Sequence, residues 1–520
     1  MRVRLLALGL VAWAALGQTV SVERLRADIA FLSSEPLQGR RALERGSDVA
    51  VQFLAAEFAK AGLKPVADSL LQQFELVEYR TDPRATRLTL DQGGRKRRYE
   101  YGRGITGGFP QAVTAAGPVV FAGYGITAPE YGYDDYAGLD AGGKLALVFE
   151  YEPRMHDPRS PFNGTGNTRH ASPRAKVLNA QAHGAVGLLI MPAPNRKRPA
   201  APARRTRTPR STGGALALAE SEIRIPAFNL SAELAESLLA PAGKKPAEVQ
   251  AAIDETLRPV RLDLGGARAE MRVALAGSRR GASANVIGMI EGSDPRLREE
   301  TVLFCAHYDH NGVRDGKVLP GADDNASGAA GLIELARLFG AERARPRRTL
   351  LFAAFGAEEA GLLGSYYYTA RPPRPLAATR AVLNLDMIGR DEKPSAQTDK
   401  LIEIAADTTN ELNLIGTFYS PELRKVLERE NGRVGLGLNY KWDADGTLNV
   451  LWRCDHFPFL MRDVPAVWLF NGFTPDYHQP ADTIDKLNFV KMEKIVRLAY
   501  LAGRALADEE RPPRFAPGPR

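Results

Sequence analysis

The sequence predicts an α/β fold: a mixed, mostly parallel central sheet sandwiched by helices, with a small β-rich domain inserted into it. Three observations carry that prediction. From about Val260 to Asp508, short continuous apolar runs alternate with helical ones, and such runs suit central strands covered on both faces. A Gly-, Tyr- and Pro-rich stretch from Ala115 to Ile190 breaks that texture with strand-like runs of its own. The 520 residues exceed what one compact core holds, so two or three domains are expected.

The elements follow in order. Ala50, Phe53, Leu54, Phe58 and Ala61 recur at helical spacing, with Ser47 as cap and Lys60, Gly62 and Pro65 as stop signals. Leu71 to Leu90 reads as short strands. Within the interruption, Pro118–Ala122, Leu145–Phe149 and Val186–Ile190 read as strands, and Arg174–Gly184 and Ala232–Leu239 as helices. Beyond it, Thr301–Ala306, Thr349–Phe355, Ala381–Leu385 and Ala466–Phe470 read as strands and Ala329–Phe339 as a helix. The domain reading is a signal peptide over 1–17, an N-terminal part of the main domain over 18–114, an inserted domain over 115–252, the main domain over 260–508 and a disordered Pro- and Arg-rich tail over 509–520.

The signal reading rests on Arg2 and Arg4, the apolar run Leu5–Leu16 and the small-residue site Ala15-Leu16-Gly17, which leaves Gln18 as the new end. It predicts a secreted or periplasmic protein. No later stretch reaches the ~18 apolar residues of a span, so no stable membrane insertion is expected after cleavage. Ordinary apolar and charged fractions exclude a disordered or fibrous chain. The net charge of +8 gathers partly in Asn195–Ser211, a run with seven basic residues and no acid. No aromatic side chains interleave there, so the reading is a solvated insertion and no nucleic-acid partner. The two cysteines, Cys305 and Cys454, permit a disulfide after export; Cys305, inside an apolar run, reads as a buried free thiol.

Function enters through the placement of ionisable residues. His307 and Asp309 end the first strand of the main domain, Glu358 and Glu359 follow the second, Asp386 ends the third and His478 follows the fourth. Ligands of open α/β sheets bind outside the carboxyl ends of the strands, so one sheet edge collects metal-capable side chains. Asp309 lies two residues beyond His307, on the same side of an extended chain, as the carboxylate that holds a ligating imidazole. In Gly321-Ala322-Asp323-Asp324-Asn325-Ala326-Ser327-Gly328, Asp323 reads as a bridge between two cations and Asp324 or Asn325 as a helix cap. Glu358 and Glu359 divide into a free proton carrier and a ligand, or serve only the dipole of a following helix. Two His with three carboxylates suit zinc and accept cobalt or manganese; calcium and magnesium favour oxygen alone.

These pieces, together with Asn384-Leu385-Asp386-Met387-Ile388-Gly389 and Tyr477-His478-Gln479-Pro480-Ala481-Asp482-Thr483, resemble the zinc aminopeptidases that include bacterial leucine aminopeptidases and their aminopeptidase-Y-like and glutamate-carboxypeptidase relatives. The order of the motifs agrees, and 115–252 resembles the protease-associated domain inserted in many of these enzymes. The resemblance implies a zinc-peptidase, phosphorylase/hydrolase-like fold and two Zn2+ ions acting on a peptide substrate. It implies Asp323 as the bridging ligand, His307 and Asp386 at one ion, and Glu359 and His478 at the other. It further implies Glu358 as general base, Tyr477 as donor to the oxyanion, and a cis Asp323–Asp324 peptide. Cys454, before Asp455-His456, departs from the family, which usually has Ser there. Carboxypeptidases and one-zinc glutaminyl cyclases share the scaffold; a receptor-like module would lack ligands, and this sequence has the full set.

Overall fold

A computed structural model describes residues 19–195, 214–398 and 401–517. The signal reading, and the basic loop apart from Asn195, lie outside the described residues. The larger sheet is mixed. At its centre lie β1 (Thr301–His307), β2 (Thr349–Phe355), β3 (Thr379–Leu385) and β4 (Ala466–Phe470), in the spatial order β2-β1-β3-β4 and all parallel. Antiparallel strands flank them, Leu275–Ile290 beside β2 and Glu411–Ile415 beside β4.

Every residue of these four strands except Arg380 is buried. Alternate side chains therefore serve opposite faces. Phe304, Phe352 and Leu383 point to one core with the helices α1 (Val22–Leu32), α2 (Arg45–Lys60), α3 (Gly328–Gly340) and α4 (Phe489–Asp508). Leu303, Cys305, Val382 and Trp468 point to the other, with Tyr368 and Phe459. Both faces are covered, as continuous apolar runs require. Among the described residues no helix is long and apolar enough to cross a membrane.

A second, eight-stranded sheet forms the β-rich unit, and its bounds correct the expected 115–252. Its strands run from Arg87–Gln92 to Arg268–Val273. Leu71–Thr81 and Leu275–Ile290, which pair antiparallel along their length in the larger sheet, bracket this unit in the chain, and Ala215–Leu218 between them also joins the larger sheet beside Leu71–Thr81. The hairpin Arg87–Gln92 with Arg95–Glu100 carries five charged residues in its second strand and is mostly exposed there, so it gave no apolar signal.

Three smaller expectations also change. Ser47 lies inside α2, whose N-cap is Glu44. Leu71 to Thr81 is one long strand. The described residues of the tail are packed in place: Phe515 stacks on Tyr419 at 5.2 Å and Arg514 pairs with Glu422 at 2.9 Å. An aromatic ring and an acceptor for its charge hold a segment whose composition alone reads as disordered. Both cysteines are free and buried.

Candidate metal centre

The loops leaving β1 to β4 meet at one edge of the sheet. There His307 Nε2 lies 3.2 Å from Asp386 Oδ1 and 3.4 Å from Asp324 Oδ1. His478 Nε2 lies 2.9 Å from Asp324 Oδ2 and 3.1 Å from Glu359 Oε2. One carboxylate, Asp324, thus turns an oxygen to each imidazole. Of the expected residues, His307, Glu358, Glu359, Asp386, Tyr477 and His478 come together around one cleft of about 250 Å³.

Asp323 does not join them, which corrects the expected bridge by one position. Its Oδ1 accepts the backbone N–H of Gly389 at 2.8 Å, and its carbonyl accepts from Ser327 Oγ at 2.7 Å. The cis peptide is correspondingly Asp324–Asn325. Asn325 takes the capping role, accepting from Gly328 N–H at 2.8 Å at the start of α3. Adjacent acids on a Gly-flanked loop look alike in sequence; only the turn of the backbone assigns one inward. Gly321 makes that turn at φ +59°, where a Cβ would sit 2.2 Å from Asp324 O and 2.6 Å from His310 Cγ.

Asp309 sits behind His307 less directly than expected. The Asp309 backbone carbonyl faces His307 Nδ1 at 3.2 Å, and its carboxylate lies 3.9 Å away. That carboxylate accepts the backbone N–H of Glu358 at 2.9 Å and of Glu359 at 3.4 Å. It therefore fixes the β2 loop as well as standing behind the imidazole. Burial raises its pKa to about 7.

The backbone is held in unfavourable conformations where the site is built. Ala357 before Glu358, Met387 after Asp386, and His478 itself have φ of +58°, +53° and +56°. Non-glycine residues in this region cost of order 1–3 kcal/mol each and persist where the surroundings over-determine them.

Burial opposes charge throughout the cluster, yet specific partners decide the outcome. Burial alone would lower His478, but Glu359 and Asp324 raise it to about 10. Burial alone would raise Glu359, but His478 and His310 bring it down to about 2. Glu358 is pushed up by burial, against the attraction of His307. The cluster draws positive charge to itself.

Those residues fit metal ions. Glu359 Oε1 and His478 Nε2 make close ionic contacts, with His310 Nδ1 at 2.7 Å and Asp324 Oδ2 at 2.9 Å, but no hydrogen bond of proper geometry among the described residues, an arrangement that suits buried atoms aimed at a shared cation. His307, Asp324 and Asp386 form one ligand group, and Glu359 and His478 flank Asp324 on the other side. Mixed nitrogen and oxygen donors suit zinc.

Sequence reasoning gave no separate role to three residues. His310, fully buried, brings Nδ1 to 2.7 Å from Glu359 Oε1; its signal was a second imidazole three residues past a strand end. Asp482 accepts the backbone N–H groups of Asp323 and Asp324 at 3.1 and 3.2 Å, holding the bridging loop. Arg40, fully buried, donates to the carbonyls of Leu32, Tyr308, Pro320 and Gly321, tying the loop after β1 to the loop before α3. Nothing in sequence places an arginine from the N-terminal segment there.

The chain is similar to a probable zinc metalloprotease of Pyrenophora teres f. teres, with 34% identity over 151 residues, covering 26% of this chain and 31% of that one. It is similar to aminopeptidase YwaD of Bacillus subtilis, with 23% identity over 401 residues, covering 75% of this chain and 69% of that one. Among solved structures it is similar to an aminopeptidase from Aneurinibacillus sp. strain AM-1, at 21% identity and a TM-score of 0.47, covering 96% of this chain and 97% of that one. The chain spans from 31% to 64% of the length of the first curated relatives it matches. The model of Peptidase family M28 matches residues 285–502, the segment that carries every side chain of the metal-capable cluster.

Proposed function

We propose that this chain is a zinc-dependent aminopeptidase that holds two ions and removes N-terminal residues from peptides. The observation that carries the reading is Asp324 set between His307 and His478, with Asp386 beside the first imidazole and Glu359 beside the second. His307, Asp324 and Asp386 would hold one ion; Asp324, Glu359 and His478 would hold the other. Zinc in such a pair lowers the pKa of bound water towards neutrality and polarises a scissile carbonyl.

The chain's own groups do the rest. Glu358, raised by burial and 3.9 Å from His307 Nε2 through its Oε2, is placed to accept a proton from the attacking water and deliver it to the leaving amine. Tyr477, stacked on His478 at 3.8 Å, keeps its hydroxyl proton because burial raises its pKa, and donates to the developing oxyanion. The names of the relatives, a zinc metalloprotease and an aminopeptidase, support the same reading. The β-rich unit is read as a protease-associated domain, and the N-terminal apolar run as an export signal that leaves Gln18 at the mature end.

Elemental analysis is expected to give about two zinc ions per chain, and Glu358→Gln to keep them while losing on the order of 10²–10⁴ in kcat. Hydrolysis of N-blocked dipeptides in preference to Leu-, Arg- and Ala-anilides would replace the aminopeptidase reading with a carboxypeptidase one.

A further inference from the structure

Among the described residues lining the cleft, Arg453 is the one arginine or lysine. It is exposed, donates to the carbonyl of Leu448 and forms no ion pair among the described residues. Nearby guanidinium groups are differently placed: Arg390 pairs with Asp476 at 2.9 Å, and Arg169 pairs with Asp463. A cation without a paired carboxylate among the described residues, at the mouth of the cleft, has its counter-charge still to come.

Its position is set by a ladder of rings. Tyr477 stacks on His478 at 3.8 Å, Phe473 meets Tyr477 edge-on at 5.1 Å, and the Arg453 guanidinium carbon lies 5.9 Å from the Phe473 ring. The ladder runs from the metal-capable cluster outwards. A peptide advances roughly 3.3–3.6 Å per residue when extended, so a short peptide with its amino end at the cluster lays its other end past Tyr477, along the wall that buried Phe473 supports, towards Arg453.

The loop carrying Arg453 is held from the β-rich unit. Asn167 Nδ2 donates to Asn449 Oδ1 at 2.6 Å, the Trp452 indole N–H donates to the Thr168 carbonyl at 3.3 Å, and Tyr151 stacks on Trp452 at 6.2 Å. Asp445 accepts the backbone N–H groups of Leu448 and Val450 at 2.9 and 3.2 Å. The guanidinium therefore stands on a braced turn.

We propose that Arg453 selects substrates bearing a carboxylate on the leaving side of the scissile bond, and that the β-rich unit serves this selection by bracing the Arg453 loop. The inference rests on the peptidase reading. The shared chemistry is a carboxylate, supplied by the C-terminus of a short peptide or by an acidic side chain next to the scissile bond. A planar guanidinium meets either through paired charge-assisted hydrogen bonds.

The test uses the full zinc-loaded chain and kcat/KM for Leu-Gly against Leu-Gly-amide, Leu-Glu-amide against Leu-Gln-amide, and Leu-anilide. At least one acid-to-neutral ratio is expected to be roughly tenfold, the scale of a charged hydrogen bond. That ratio is expected to fall to about one in Arg453→Met and to survive in part in Arg453→Lys, with zinc content confirming that both variants fold. A preference confined to Leu-Gly assigns the C-terminal carboxylate; one confined to Leu-Glu-amide assigns the side chain. Ratios of one in the unaltered enzyme alongside anilide turnover, or a preference that persists in Arg453→Met, overturn the inference alone. No turnover of any of these compounds overturns the peptidase reading and this inference with it.

Discussion

The Cys454 thiol points at Asp386 Oδ2 from 2.9 Å, while the other oxygen of that carboxylate faces His307 at 3.2 Å. Burial, with Asp386 and Glu358 beside it, holds the thiol well above its ordinary range, so it stays a donor. The Asn384 amide donates to Cys454 Sγ at 2.9 Å and accepts from Cys305 Sγ at 3.2 Å. Both cysteines thus belong to one buried chain of donors that ends on Asp386 and orients it. Cys454→Ser is expected to keep zinc and most turnover, because a hydroxyl donates in the same place. Cys454→Ala is expected to weaken zinc binding by about 10–100-fold, read by titration against a competing chelator. Equal affinities for the two variants would remove the orienting role.

Asp323 and Asp324 can be told apart by substitution. Asp324→Asn removes the carboxylate between the two imidazoles, and zinc retained after dialysis is expected to fall to one ion or none. Asp323→Asn keeps an oxygen for Gly389 N–H and is expected to retain both. The reverse pattern would restore Asp323 as the bridge.

Arg40 is a structural prediction. Its removal in Arg40→Met leaves carbonyls of Tyr308, Pro320 and Gly321 without their donor in a buried region. Each such group costs about 1–3 kcal/mol, so urea unfolding is expected to show a loss of about 3 kcal/mol or more, with weakened zinc retention. A loss below about 1 kcal/mol would mean that water or neighbouring groups replace the guanidinium.

Glu130 gives a pH dependence. Burial would raise its pKa, but the hydrogen bond from His170 at 2.8 Å, with Arg169 at 3.4 Å, brings it down to about 2. A carboxyl whose folded pKa lies below its unfolded value stabilises fully above the unfolded value, near 4.5, and loses that contribution as pH falls towards 2. Arg169 also reaches Asp463 across the boundary between the β-rich unit and the segment that carries the metal-capable cluster. Glu130→Gln is expected to lower the melting temperature above pH 4.5, by an amount that shrinks steadily as the pH approaches 2. A difference that stays constant over that interval would exclude the ionised carboxylate as its cause.

The sequence by itself determined the central strands and the edge at which chemistry gathers. Continuous apolar runs can be satisfied only between two covered faces, and residues placed directly after parallel strands must emerge at one rim; His307, Glu358, Glu359, Asp386 and His478 followed from that alone. The tertiary structure decided what depends on backbone direction and distant packing. It turned Asp324 rather than Asp323 inward, because a left-handed Gly321 and the grip of Asp482 set how the loop enters α3. It brought Arg40 under the loops and set Arg453 on a turn braced by Asn167 and Thr168, contacts between stretches too far apart in the chain for local periodicity to register.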